Sequence, residues 1–137
     1  MTIQCRLSIT RTDFVLDVDL SLPLKGVTAV FGPSGSGKTT FLRALAGLEN
    51  NKGYIKVGDV IWQDEQHFVP THKRSIGYVF QEASLFEHLN AKDNIEYGFK
   101  RAIDVDQSVM QRAIKLLQIE HLLDRRASQL SGGERQR

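Results

Sequence analysis

The chain has 137 residues with 18 basic and 16 acidic side chains, a length that fits one domain with its own buried core. This near balance of charge gives no basic surface for binding nucleic acid or an acidic membrane. One cysteine, Cys5, excludes an internal disulfide, and the sequence shows neither a secretion signal nor an apolar run of membrane-spanning length. We therefore expect a soluble, cytosolic chain with no nucleic-acid partner.

Two alternating segments open the chain. Apolar residues occupy every second position, at Cys5, Leu7 and Ile9 and then at Phe14, Leu16, Val18 and Leu20. A period of two predicts an antiparallel hairpin with one face exposed to water. Residues 27–31 follow as a continuous apolar run, which is typical of a strand buried on both sides in a parallel sheet.

A glycine-rich loop follows this run and leads into a segment with helical apolar spacing. It consists of Gly32, Pro33, Ser34, Gly35, Ser36, Gly37, Lys38, Thr39 and Thr40. Such a loop turns backbone N–H groups inward, and the helix that follows adds the positive end of its dipole, so the site suits a polyphosphate. The pattern places Lys38 at the β- and γ-phosphates and the Thr39 hydroxyl on Mg²⁺. A Gly/Ser linker is the alternative, but it gives no reason for a Lys-Thr pair after the last glycine.

The rest of the chain alternates short strands and helices. Apolar spacing at Phe41, Leu45 and Leu48 predicts a helix closed at Gly47. The predicted elements after it are strands over 53–57 and 60–62, a polar loop to residue 73, and a strand over 76–80 that ends at Gln81. Helices are predicted from Ala91 onward, with an N-cap within 104–106 and a short helix over 120–123. An apolar stripe is predicted at Met110, Ile114 and Leu117. The basic clusters 72–74 and 125–126 are interpreted as solvated surface.

The chain closes on a second glycine motif, which runs from Leu130 to Arg137. Ser131 followed three residues later by Glu134 forms a capping-box pattern, which predicts a helix start. Two glycines just inside that helix, Gly132 and Gly133, disfavour the helix and suit a close approach of the backbone to an anion.

Together the phosphate loop, the Val79-Phe80-Gln81 segment and the Leu-Ser-Gly-Gly-Glu motif resemble the ATP-binding subunit of ABC transporters over the whole chain. The resemblance implies an α/β P-loop core of ABC type with an antiparallel β subdomain and a helical segment, truncated at its C-terminal side. Residues 1–31 and 53–62 would form the β subdomain and core strands, 32–48 the loop and its helix, 76–82 a strand and the glutamine loop, and 91–137 the helical segment. The resemblance also implies that Gln81 joins the Mg²⁺ shell and senses the membrane partner. In the family, the residues matching Ser131, Gly132 and Gly133 contact the γ-phosphate of ATP bound to a second, head-to-tail subunit.

Less specific segments, including Trp62-Gln63-Asp64 and 77–82, are similar to the molybdate importer branch. Importers of sulfate, polyamines or sugars share much of these segments. The resemblance implies integral membrane permease partners, a position at the inner face of the cell membrane, and no direct contact with the transported substrate. A non-transport ABC protein of DNA repair or translation shares the same two motifs, but the weak net charge argues against it.

Phe14 is the candidate aromatic for stacking on adenine, and a role in the apolar core remains the alternative. Within these 137 residues no apolar strand ends in Asp-Glu and no histidine follows the signature, and the family uses both features for hydrolysis. We therefore expect this chain to bind MgATP better than it turns ATP over, and a catalytically silent binding module is the remaining alternative.

Overall fold

The computed structural model describes residues 1–49, 51–82, 84–101 and 106–137. They form two compact units, 1–78 and 79–137. The strands are β1 (Thr2–Thr10), β2 (Val15–Pro23), β3 (Lys52–Val57) and β4 (Val60–Gln63), and the helices are α1 (Lys38–Ala46), α2 (Ala91–Phe99), α3 (Gln107–Leu116) and α4 (Gly132–Gln136). Single 3₁₀ turns occur at Thr71–Lys73, Glu120–Leu122 and Ala127–Gln129.

The first unit is built on an antiparallel sheet with the strand order β2-β1-β3-β4. The predicted opening hairpin is confirmed, with Leu7 opposite Val18 in the register of β1 and β2. The alternation of β1 turns its apolar residues to one face, where α1 covers them. The resulting core comprises Cys5, Leu7, Ile9, Phe41, Ala44, Ile55 and Trp62.

Helix α1 ends one residue before Gly47, whose backbone is left-handed at φ 79°. A glycine at this position adopts that conformation without steric cost, which is why it closes helices so often. Its N–H donates to the Ala44 carbonyl at 3.0 Å. The prediction that Gly47 closes the helix is confirmed, whereas Leu48 lies beyond the helix.

Two apolar runs predicted as strands, of which 27–31 was predicted to be buried in a parallel sheet, are not strands in this structure. Residues 27–31 and 76–80 have no strand assignment, and Val27, Phe31 and Val79 are almost fully exposed. The prediction of a buried strand over 27–31 is therefore wrong for this structure. The physical reason is that an extended segment becomes a strand by pairing, and no described strand pairs with either run. Their exposed apolar surface predicts self-association of the chain.

The second unit packs its helices and turns around a smaller core. Ile119, Leu122 and Leu130 are buried there, and Ile95 of α2 and Ile114 of α3 pack against them. Asp106 accepts a hydrogen bond from the Ser108 N–H at 3.2 Å, so the predicted N-cap is confirmed at this residue. Asp104 and Val105 lie outside the described residues. The predicted helix over 120–123 is present as the 3₁₀ turn Glu120–Leu122.

Candidate functional site

The glycine-rich loop turns tightly before α1. Gly35 and Gly37 have left-handed backbones, at φ 79° and 88°, and the Ser36 N–H donates to the Pro33 carbonyl at 3.3 Å. Gly37 is the N-cap of α1, and its carbonyl accepts the Phe41 N–H at 2.8 Å. The loop is thus joined to the first turn of the helix without an intervening residue.

The ammonium of Lys38 lies against the loop that precedes it. Its Nζ donates to the carbonyls of Gly32 at 2.8 Å and Pro33 at 2.6 Å, and it lies 3.4 Å from the Ser36 hydroxyl. These contacts hold one positive charge over the concave backbone. Two carbonyl oxygens are weaker partners for an ammonium than the charged oxygens of a phosphate.

The N-terminus of α1 is left open by its own chain. No described side chain accepts from its first N–H groups, and its first turn has no acidic residue. These N–H groups and the helix dipole together favour an anion at this end. Ser34 and Thr39 are exposed and Thr40 is half-buried, so hydroxyl groups are also available at the same end.

Phe14 lies directly before β2 and is half-buried. A Cβ placed on Gly37 would lie 3.3 Å from Phe14 Cε2 and 3.3 Å from Leu16 Cδ1. The ring therefore packs beside the last glycine of the loop. Both interpretations of Phe14 stay open, because a ring at this place supports the loop and also offers an aromatic face near it.

Arg74 is a residue whose role was missed in the sequence. The interpretation of cluster 72–74 as solvated surface is wrong at this position, because Arg74 is only 4% exposed. Its guanidinium lies over the rings of Trp62 and Phe68, at 5.5 and 5.0 Å from their centroids. Burial lowers the pKa of Arg74. Two aromatic residues upstream of an arginine are the sequence signal for such a contact, but they do not indicate which arginine they receive.

The second glycine motif forms a short capped helix in the second unit. Ser131 Oγ accepts from the Glu134 N–H at 3.3 Å, and the Glu134 carboxylate accepts from the Ser131 N–H at 2.7 Å. The predicted capping box is therefore confirmed in both directions. Hydrogen bonding of the Glu134 carboxylate to the backbone N–H of Ser131, and then to the Ser131 side chain, lowers the pKa of Glu134. A Cβ on Gly132 or Gly133 would meet no atom within 4 Å, so both glycines face open space.

Gln81 lies in a bend and is exposed. It belongs to the second unit with Ser131, Gly132 and Gly133, whereas the phosphate loop and α1 belong to the first. Among the residues that the structure describes, no three His, Cys, Asp or Glu side chains cluster as a metal site, and no described helix is long and apolar enough to cross a membrane.

Comparison with known proteins identifies the class to which this fold and loop belong. The family model described as "ABC transporter" matches residues 15–137. The chain therefore belongs to the ABC transporter family. The solved structure of cbiO1 from Clostridium perfringens, described as part of the ABC transporter complex cbiONQ, has the same fold, with a TM-score of 0.69 and 23% identity over 98% of this chain and 57% of that one.

Several curated relatives carry the name "Molybdenum import ATP-binding protein ModC". Those of Thiobacillus denitrificans and Pseudomonas fluorescens are 56% and 55% identical over 98% and 100% of this chain. That of Pseudomonas syringae pv. tomato is 54% identical over 98% of it. The chain spans about 38% of the length of these relatives.

Proposed function

We propose that residues 32–40 bind MgATP, and that the protein to which this chain corresponds is the ATP-binding, energy-coupling subunit of an ABC importer. The observation that carries the proposal is the open N-terminus of α1 with the Lys38 ammonium beside it. Backbone N–H groups, a helix dipole and a lysine ammonium are the groups that bind polyphosphate. Family membership adds support, because ABC proteins use ATP.

Lys38 has two carbonyl partners that a phosphate can replace. When the β- and γ-phosphates enter the loop, the ammonium exchanges the Gly32 and Pro33 carbonyls for charged oxygens and forms stronger hydrogen bonds. Its charge then offsets negative charge on the phosphates. For phosphoryl transfer, which depends on positioning and charge stabilisation, this is the contribution of Lys38.

The residues at the start of α1 also fit Mg²⁺. The ion prefers oxygen ligands and keeps several waters, so a hydroxyl and phosphate oxygens suffice where no carboxylate cage exists. We assign the protein hydroxyl to Thr39, which is exposed beside the loop. Gln81, an exposed amide in the second unit, is the second proposed ligand. The bound ion would neutralise phosphate charge and orient the γ-phosphate.

A second copy of the subunit completes the proposed site. Ser131, Gly132 and Gly133 present a glycine-led helix start with open space around both glycines, which allows close approach by a phosphate. In the proposed head-to-tail homodimer these residues meet the γ-phosphate held by the loop of the other copy. The two parts used by the family for hydrolysis do not occur within these 137 residues, so our proposal for this segment is binding.

The molybdate assignment rests on the curated relatives. Their printed name is molybdenum import, and their identity to this chain is 54–56%. We propose integral membrane permease subunits as partners and the inner face of the cell membrane as the location, with neither nucleic acid nor the transported oxyanion in contact with this subunit. Disrupting the gene should abolish high-affinity uptake of labelled molybdate and leave sulfate uptake intact. Loss of sulfate uptake with molybdate uptake intact would instead assign sulfate as the transported anion.

The central test of the proposal is Lys38→Ala. Since a charge-assisted hydrogen bond contributes about 1.5–3 kcal/mol, its loss should weaken MgATP binding by at least about tenfold, as measured by calorimetry. Lys25→Ala is the matched control, because Lys25 is exposed and lies outside residues 32–40, and it should bind like the wild type. Unchanged affinity in Lys38→Ala contradicts the proposal.

Phe14 is proposed to stack on adenine, supported by its half-buried ring beside Gly37. The test compares two ligands, MgATP and inorganic triphosphate with Mg²⁺, on Phe14→Leu. Stacking contributes about 1–3 kcal/mol per base, so the variant should lose about fivefold or more in MgATP affinity and none for triphosphate. An equal loss for both ligands would instead assign Phe14 to support of the loop.

A further inference from the structure

Arg74 is the only buried charged side chain among the described residues. Its Nε donates to the Val69 carbonyl at 2.8 Å and its Nη1 to the Leu45 carbonyl at 2.7 Å. Its Nη2 is buried and has no hydrogen-bond partner among the described residues. One side chain thus ties the loop after β4 to the last turn of α1.

The contact at Leu45 lies at the end of α1 opposite to the phosphate loop. Carbonyls of the last helical turn lack partners within the helix and carry the negative end of its dipole, so a guanidinium is a favourable donor there. The guanidinium also packs against Gly47, where an added Cβ would lie 2.7 Å from Arg74 Cζ. The end of α1 and the arginine therefore fit together without spare room.

Stability alone does not account for a buried arginine here. A buried charge with an unsatisfied donor is costly, and apolar side chains of similar volume are often equally stable or more so in such sites. The arginine instead fixes a relative orientation, because its planar guanidinium holds two carbonyls in one geometry. The two carbonyls belong to different segments, and one of those segments is the helix that carries the phosphate loop.

We propose that Arg74 is a positioning residue for the nucleotide site, setting the tilt and rotation of α1 and thereby the placement of the loop at its other end. This inference rests on the proposed function. Helix α1 has nine residues and spans about 13 Å, so a change in tilt at Leu45 moves Gly37 and Lys38. Phosphate contacts depend on hydrogen-bond geometry at a scale of tenths of an ångström.

The main experiment measures MgATP affinity and thermal stability of Arg74→Met in the full chain. The methionine keeps an apolar stem between Trp62 and Phe68 and removes both carbonyl contacts. We expect MgATP affinity to fall about fivefold or more while the melting temperature stays near that of the wild type. Lys73→Met is the control, since this neighbouring residue is exposed, and it should change neither quantity.

A double-mutant cycle with Gly47→Ala tests whether the effect passes through this contact. Gly47→Ala collides with the guanidinium and should weaken MgATP binding, and it should have a smaller effect when Arg74 is already methionine. The backbone strain of alanine at φ 79° is present in both backgrounds and cancels in the cycle. Fully additive losses overturn the inference.

The outcomes separate this inference from the proposed function. A wild-type chain that does not bind MgATP overturns the proposed function, and this inference with it. A wild type that binds and an Arg74→Met variant that binds equally well overturn this inference alone. If Arg74→Met does not fold, Arg74→Lys is the deciding variant, because lysine keeps the charge and lacks the planar guanidinium. The MgATP affinity of Arg74→Lys should fall, and an affinity equal to that of the wild type overturns the inference.

Discussion

The two helices that follow the glycine motifs begin in opposite ways. Helix α1 starts at Gly37, with no capping side chain among the described residues and no acid in its first turn. Helix α4 starts at Ser131, where the Ser131 hydroxyl and the Glu134 carboxylate form a reciprocal cap. The donors at the start of α1 are therefore left to an external acceptor, whereas α4 satisfies two of its own N–H groups.

This difference separates the proposed primary phosphate site, at α1, from the proposed auxiliary one, at α4. The start of α1 combines unpaired donors with a cation, Lys38, and both favour a phosphate. The start of α4 already has a carboxylate, Glu134, at its N-terminus, which opposes a second anion by charge. A contribution of Ser131 to nucleotide binding therefore requires a phosphate already held elsewhere, which agrees with the proposed role across a dimer.

The largest expected effect comes from giving α1 the carboxylate that α4 has. Thr39→Asp places a negative charge in the first turn, where it should stabilise the helix by about 0.3–1 kcal/mol. The same charge repels phosphate and should weaken MgATP binding about 100-fold, or about 2.7 kcal/mol. Calorimetry and thermal unfolding would measure the two opposite effects.

Thr39→Asn is the matched control for this substitution. It removes the hydroxyl without adding charge, so it should lose less affinity than the aspartate variant. Thr39 is exposed, so neither change disturbs packing. If Thr39→Asp bound MgATP as well as Thr39→Asn, the N-terminus of α1 would not be the phosphate site.

A smaller effect is expected from removing the cap of α4. Ser131→Ala should cost the helix about 1 kcal/mol, which is about a fivefold increase in the opening that exposes the Glu134 amide to exchange. MgATP affinity of the single chain should not change, because the loop belongs to the other unit. Ser131→Asn, which keeps a capping oxygen, should exchange nearly like the wild type. A loss of single-chain affinity in Ser131→Ala would contradict the separation of the two sites.

The local elements could be predicted from the sequence, because their causes lie within a few residues. Alternation at Cys5, Leu7 and Ile9 is sufficient to predict which face of β1 is buried, and the spacing of Ser131 and Glu134 is sufficient to predict the cap. Both predictions are confirmed by the burial and the hydrogen bonds.

The failures of prediction have long-range causes. Residues 27–31 are apolar enough for a buried strand, but a strand needs a paired neighbour, and hydrophobicity alone does not supply one. Arg74 resembles its exposed neighbours in sequence; its burial depends on Trp62, Phe68 and the end of α1 meeting at one point. Such a meeting is a property of the tertiary structure and leaves no periodic signal.

The smallest expected effect is a pH dependence of amide protection, which the start of α4 should show and the start of α1 should not. The Ser131 hydrogen bonds lower the pKa of Glu134 from its ordinary 4.5, and a lowered folded-state pKa means that ionisation stabilises the folded cap. This stabilisation is complete above pH 4.5 and is lost as the pH falls through the lower folded-state pKa. The first turn of α1 has no acidic residue, so its protection should not change over the same range.

Amide exchange at Ser131 and Phe41, followed from neutral pH downward, measures this difference. Ser131 should lose protection on acidification in the wild type, while the Phe41 amide, which donates to the Gly37 carbonyl, keeps its protection until the unit unfolds. Glu134→Gln retains an acceptor without a titrating charge and should remove the pH response at Ser131. If both amides lost protection together, the two helix starts would share one electrostatic origin, and the contrast between an open and a self-capped N-terminus would not hold.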